Sequence, residues 1–185
     1  TQPSPRGYGG QAEAGYNWVA GDSPPWGEMR PSQSSMLEEA KWIWCAEQRP
    51  NTYCCIRGHL EVPAVPLQST IRIIADSRYR FYVNGIYVGQ GPTPFKPPYL
   101  YVDTFDITAR LQTGHNVIAV LGNFHGVKHC TYTPGTPGVI AELEVTDMDG
   151  NVTRLATSSA WKVNHLDAYR HKVPRRTWAT PWCEY

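Results

Sequence analysis

Two pairs of carboxylates in this 185-residue chain stand close enough in sequence to suggest acid–base chemistry: Asp103 with Asp106, and Asp147 with Asp149. Such a pair works when one carboxyl is held protonated and its partner ionised on either side of a reacting bond. Asp147 and Asp149 lie in "VTDMDGN", which reads as a turn. Water there keeps both acids ordinary, so a structural role is expected. Asp103 and Asp106 lie in "YVDTFDITARL", at the end of a strand, where they suit capping of the short turn before Leu111. The remaining acids of the 16 present fall mostly in turns and at strand ends, so no catalytic residue is expected. The segment "NFHGVKHC" holds metal-ligand types in His125, His129 and Cys130. Histidines four apart share a face only on a helix, and Gly126 and the strand before it argue for a loop. No metal and no cofactor is therefore expected. Hydrogen bonding from Asn123 and His125 into a polar cleft is the better use of this loop. Tyr99, after "PTPFKPP", and Trp26, near the N-terminus, offer flat aromatic faces beside it.

Composition bounds what these residues can meet. Charged residues make up 18% and the formal net charge is +1, which gives no electrostatic footprint for nucleic acid or an anionic membrane. The longest clean apolar run, Val117 to Leu121, is far too short for a membrane helix. The sequence opens at Thr1 without a signal pattern, and it marks no compartment. Five cysteines exclude a complete disulfide framework; the adjacent Cys54 and Cys55 point to opposite faces of a strand, and buried reduced thiols are expected. Aromatics reach 12%, with 7 Trp and 11 Tyr, beside 16 Gly and 16 Pro. Rich aromatics with many turn formers suit an all-β domain, and flat rings also suit contact with sugars.

The elements that must position these residues are strands. Residues 1–35 are rich in Pro, Gly and Ser without a sustained period, and read as an extended arm that packs in part on the body through Tyr16, Trp18 and Trp26. A helical turn near Met36, capped by Ser35, is expected before a strand at Trp42–Trp44. "TYCCIRGHLEV" alternates and stops at Pro63 and Pro66. Ile71–Ala75 and Tyr79–Val83 follow, separated by Asp76 and Ser77, and Asn84-Gly85 is the strongest hairpin signal in the chain. Tyr99–Phe105 alternates, "DITARLQTG" reads as a helical turn, and the wholly apolar "NVIAVLGNF" reads as a central strand. A long strand from Gly138, a turn at Asp149-Gly150, a short strand and a last strand at Trp161 complete about nine strands at sandwich spacing. The expected fold is an all-β, two-sheet antiparallel β-sandwich over residues 36–165, preceded by the arm and followed by a basic linker over 166–185.

Taken in order, "ADSRYRFYVNGIYVGQGP", "YVDTFDITARLQTGHNVIAV", "GVIAELEVTDMDG" and "SSAWKV" resemble the N-terminal β-sandwich domain of bacterial-type α-L-rhamnosidases. The resemblance runs from Trp42 to Val163. It implies a jelly-roll, galactose-binding-like sandwich with no catalytic machinery of its own, since catalysis in that family belongs to a downstream α-helical barrel. A related module in other glycosidases sends a polar residue from the segment after V-G-x-G towards the neighbouring active site; Pro92 and Thr93 stand there in this chain, so that role does not carry over.

The first functional expectation is thus a non-catalytic accessory domain of an α-L-rhamnosidase-like glycoside hydrolase, with a downstream catalytic domain as partner and a rhamnose-containing glycan as ligand. The second is an independent carbohydrate-binding, lectin-like module, contacting sugar through Tyr99, Asn123, His125 and Trp26. The third is a structural or assembly domain. Neither nucleic acid nor membrane is an expected partner.

Overall fold

The structure is a computed structural model, and it describes residues 12–13, 17–19, 37, 39–93, 101–128 and 132–170. These form β1 (Ala12–Glu13), β2 (Asn17–Val19), β3 (Ile43–Trp44), β4 (Thr52–Val62), β5 (Pro66–Asp76), β6 (Arg78–Val83) and β7 (Ile86–Gly91). After these come β8 (Asp103–Asp106), β9 (Gly114–Phe124), β10 (Gly138–Asp147), β11 (Val152–Ala156) and β12 (Lys162–His165). A single 3-10 turn, Thr108–Arg110, separates β8 from β9.

The strands build two antiparallel sheets. One has seven strands in the order β1-β2-β3-β10-β5-β8, with β11 also paired to β10. The other has five, in the order β12-β4-β9-β6-β7. The chain crosses between the sheets at Ser77, the one residue between β5 and β6. Period-two alternation decides the faces. In β4, Cys54, Ile56, Leu60 and Val62 point inward while Cys55, Arg57, His59 and Glu61 point to solvent. Trp42, Ile43, Trp44, Ile71, Ile73, Ile74, Phe81 and Ile118 fill the space between the sheets. Burial of each such side chain contributes roughly 1.5–3 kcal/mol. Glycine lets the indoles lie close: a Cβ at Gly122 of β9 would stand 2.6 Å from the Trp44 ring.

The all-β sandwich expected from the sequence is the observed fold. The Asn84-Gly85 hairpin joins β6 to β7 with both residues at positive φ, 51° and 79°, as a two-residue turn of this type requires. The region expected to form an arm contributes strands: β2 pairs with β3 through Trp18↔Trp44 and Val19↔Ile43. Three expectations need correction or closer definition. β5 starts at Pro66, five residues before Ile71, because a proline is tolerated as the first residue of a strand. Cys45 and Cys54 are disulfide-bonded, with Cα atoms 6.4 Å apart, and Cys55 is a free exposed thiol, so buried reduced thiols do not describe these three. Cys130 and Cys183 lie outside the described residues, as do Ser35, Met36 and Glu38 of the expected helical turn.

Candidate functional site

The outer face of the five-stranded sheet carries the candidate site. Cross-strand register arranges its side chains in rows. Arg78 of β6 is opposite Asn123 of β9, which is opposite Tyr53 of β4. One row further, Gln90 of β7, Arg80, Leu121, Cys55 and Asn164 follow one another across all five strands. The next row is Tyr82, Ala119, Arg57 and Lys162. The first two rows, walled by Pro92 and Thr93 beyond β7, enclose a hollow of about 510 Å³. A second hollow of about 500 Å³ continues from it over the later rows and shares Leu121.

β9 explains the floor. Its apolar run suggests a strand buried on both faces, and it does sit centrally between β4 and β6. Yet Asn116, Ile118, Val120, Gly122 and Phe124 face the core, while Val117, Ala119 and Leu121 are half-buried on the outside. An apolar floor with a polar rim results. Tyr53 closes one wall, its ring stacked on Tyr169 with centroids 4.0 Å apart. The Asn123 amide Nδ2 lies 3.4 Å from Asn51 Oδ1 and 3.4 Å from Thr52 O, and the side chain lines the hollow. Tyr79 donates to Asp103 Oδ2 at 2.5 Å; burial first, and this bond second, push its hydroxyl well above the ordinary tyrosine range. It therefore stays protonated.

Among the described residues, no carboxylate lines either hollow. Of the acids singled out by the sequence, Asp103 accepts from the Tyr79 hydroxyl, while Asp106 and Asp147 accept from backbone N–H groups. Asp106 accepts from Thr108 N at 2.9 Å and Thr108 Oγ1 at 2.7 Å, and these bonds hold its pKa below the ordinary value. Asp147 accepts from Asn151 Nδ2, Asn151 N and Asp149 N within 3.0 Å, which likewise lowers its pKa. Such carboxylates stay ionised at neutral pH and carry no proton to donate. The face presents guanidinium, amide and phenol groups over an apolar floor.

Of the residues proposed from sequence, Asn123 lines the hollow. His125 lies just beyond β9 and is 1% exposed, with its ring edge-on to Tyr132 at 5.4 Å and its backbone N–H donating to Ser77 Oγ at 2.7 Å. It stands behind the hollow and not among its lining residues. Tyr99, Trp26, His129 and Cys130 lie outside the described residues. Arg78, Arg80, Gln90 and Tyr53 are site residues that sequence reasoning missed. The R-Y-R alternation in β6 already put both arginines on one face; what it lacked was the row of strands beside them.

The α-L-rhamnosidase N-terminal domain family matches residues 65–172. The chain superposes on the GH78 family rhamnosidase of Bacillus sp. GL1 with a TM-score of 0.73 and 36% identity over 79% of its length, which is 15% of that enzyme. It matches a Streptomyces avermitilis α-L-rhamnosidase with a TM-score of 0.59 and 20% identity, over 93% of this chain and 16% of that one. It also matches a lectin from Pleurotus ostreatus at a TM-score of 0.57 and 25% identity, over 78% of this chain and 40% of the lectin. No curated protein matches the sequence. The chain spans about a sixth of the rhamnosidases it resembles. With more than half its length matched by the family and this sandwich as its fold, the chain belongs to the α-L-rhamnosidase N-terminal domain family.

Proposed function

We propose that this sandwich is the non-catalytic accessory domain of an α-L-rhamnosidase, that it supports a catalytic domain supplied by further chain, and that its five-stranded face contacts the glycan. Residues 36–165 would form the accessory body, and 166–185 the basic link to the catalytic part. The observation that carries this reading is the hollow itself. Its described lining of Arg78, Arg80, Gln90, Asn123 and Tyr53 includes no carboxylate and suits binding of a neutral polyhydroxylated ligand. Asn123 would contact the sugar directly, His125 would brace the end of β9, and Tyr99 and Trp26 would add aromatic contacts to the sugar. L-rhamnose is the ligand to try, since the structure of the Streptomyces relative holds it.

The likeness to the Pleurotus lectin favours a second reading, an independent sugar-binding module. One titration separates the two. Calorimetry with L-rhamnose on the 185-residue chain should give weak binding that Arg78→Ala and Asn123→Ala reduce. Binding equally tight to the isolated chain and to a longer form would favour the lectin reading. Binding unchanged in both variants would remove the hollow from the function.

A further inference from the structure

At the opposite end of β9 from Asn123, three titratable side chains meet on the outward face of the same sheet. His115 opens β9 and is paired in register with Glu61; His59, two residues back on β4, is paired with Val117. All three point outward, because residues 57, 59 and 61 of β4 and 115, 117 and 119 of β9 share that side of the pleat. His59 and His115 are therefore diagonal neighbours, and their rings lie with centroids 5.0 Å apart at 28°. His59 Nδ1 stands 3.1 Å from His115 Nε2, and His115 Nδ1 stands 2.7 Å from Glu61 Oε1.

We propose that His59 Nδ1 and His115 Nε2, with Glu61 orienting the second ring, form a binding site for a borderline transition-metal ion such as Zn²⁺. Two imidazole nitrogens on one tetrahedral Zn²⁺ stand roughly 3.3 Å apart, from Zn–N bonds of about 2.0–2.1 Å. The observed separation of 3.1 Å needs to open only slightly. A metal-bound histidine commonly donates its other N–H to a carboxylate, which fixes the tautomer and aims the lone pair. Glu61 does this to His115: with the proton on Nδ1, the Nε2 lone pair faces His59. Without metal, His59 Nδ1–H donates to that lone pair. When an ion enters, His59 gives up the Nδ1 proton and carries one on Nε2 instead. Both facing nitrogens then present lone pairs, and no proton is lost overall.

The surroundings agree with this use. The side chains of His115 and Glu61 are 56% and 71% exposed, which gives the ion an open approach. Beyond His59, His115 and the orienting Glu61, no other His, Cys, Asp or Glu among the described residues joins the site, so water completes the coordination. Imidazole pairs of this kind suit Zn²⁺, Cu²⁺ or Ni²⁺ and discriminate against Ca²⁺ and Mg²⁺, which prefer oxygen.

The test uses the untagged 185-residue chain, stripped of metal, with its accessible thiols alkylated, and Zn²⁺ as the titrant in calorimetry. The expected result is one Zn²⁺ per chain, lost in His59→Ala and in His115→Ala and weakened about 10- to 100-fold in Glu61→Gln. Mg²⁺ should give no heat. Far-ultraviolet circular dichroism in chelator should be the same for all variants, since these side chains are exposed. Zn²⁺ binding that persists unchanged in both histidine variants, or no binding by the unmodified sequence, would overturn the assignment. Neither result bears on rhamnose binding, which is read separately at Arg78 and Asn123.

Discussion

The hydroxyl of Tyr132 donates to Oδ1 of Asp76 at 2.5 Å, joining the segment before β10 to the end of β5. Asp76 is 1% exposed and also accepts from Ser77 Oγ at 3.0 Å and Gly135 N at 3.1 Å. This carboxylate sits where the chain leaves one sheet for the other, directly behind His125 and its partner Ser77. It closes one end of the sandwich.

Burial outweighs the three donors and raises the Asp76 pKa from 3.8 to about 7. A carboxyl raised on folding holds its proton more tightly in the folded chain than in the unfolded one. Its contribution is therefore full below pH 3.8 and is lost as pH rises towards about 7. Denaturant unfolding from pH 4 to 8 should show a falling stability difference between the wild type and Asp76→Asn across that window. A difference that stays constant, or rises with pH, would contradict the buried acid. Tyr132→Phe should extend the loss to higher pH, because it removes a donor to the ionised form.

Core packing gives a second expectation. Gly122→Ala places a methyl carbon 2.6 Å from the Trp44 ring and 3.4 Å from Val139. Both neighbours lie in the buried core, so the ring cannot swing into solvent. The substitution should cost about 1–3 kcal/mol, read as a lower urea midpoint. Gly122→Ala with wild-type stability would show that Trp44 does not lie over β9 as described.

Much of this architecture was legible from local pattern. The alternation of β4, the Asn84-Gly85 turn and the rigid spacing of β10 and β11 each report on a few neighbouring residues, and alternation alone sets which face is buried. The site was less legible because it is made across strands. Arg78, Asn123 and Tyr53 are remote in sequence and adjacent only through the pairing of β6, β9 and β4. His125 illustrates the converse. Its loop position suggested an exposed donor, but the chain after β9 folds its ring against Tyr132. The apolar outward face of β9 was hidden for a related reason: a run of apolar residues does not say which side lacks a covering layer.

The hollow can be probed without disturbing the fold. Arg78 is exposed and Asn123 ends a strand, so Arg78→Ala should leave thermal stability close to wild type while lowering rhamnose affinity several-fold. Asn123→Ala should lower affinity and also cost about 1 kcal/mol, since its amide lies near Asn51 and Thr52 at 3.4 Å. An Arg78→Ala chain that binds rhamnose as well as wild type would move the ligand away from β6.

The most direct measurement is release of nitrophenol from an aryl α-L-rhamnoside by the purified 185-residue chain. No turnover above buffer is predicted, because Asp106 and Asp147 are bound to backbone N–H groups and no carboxylate is among the described residues that line the hollow. Turnover that disappears in Asp103→Asn or Asp106→Asn would contradict the accessory role and make the sandwich an enzyme in its own right.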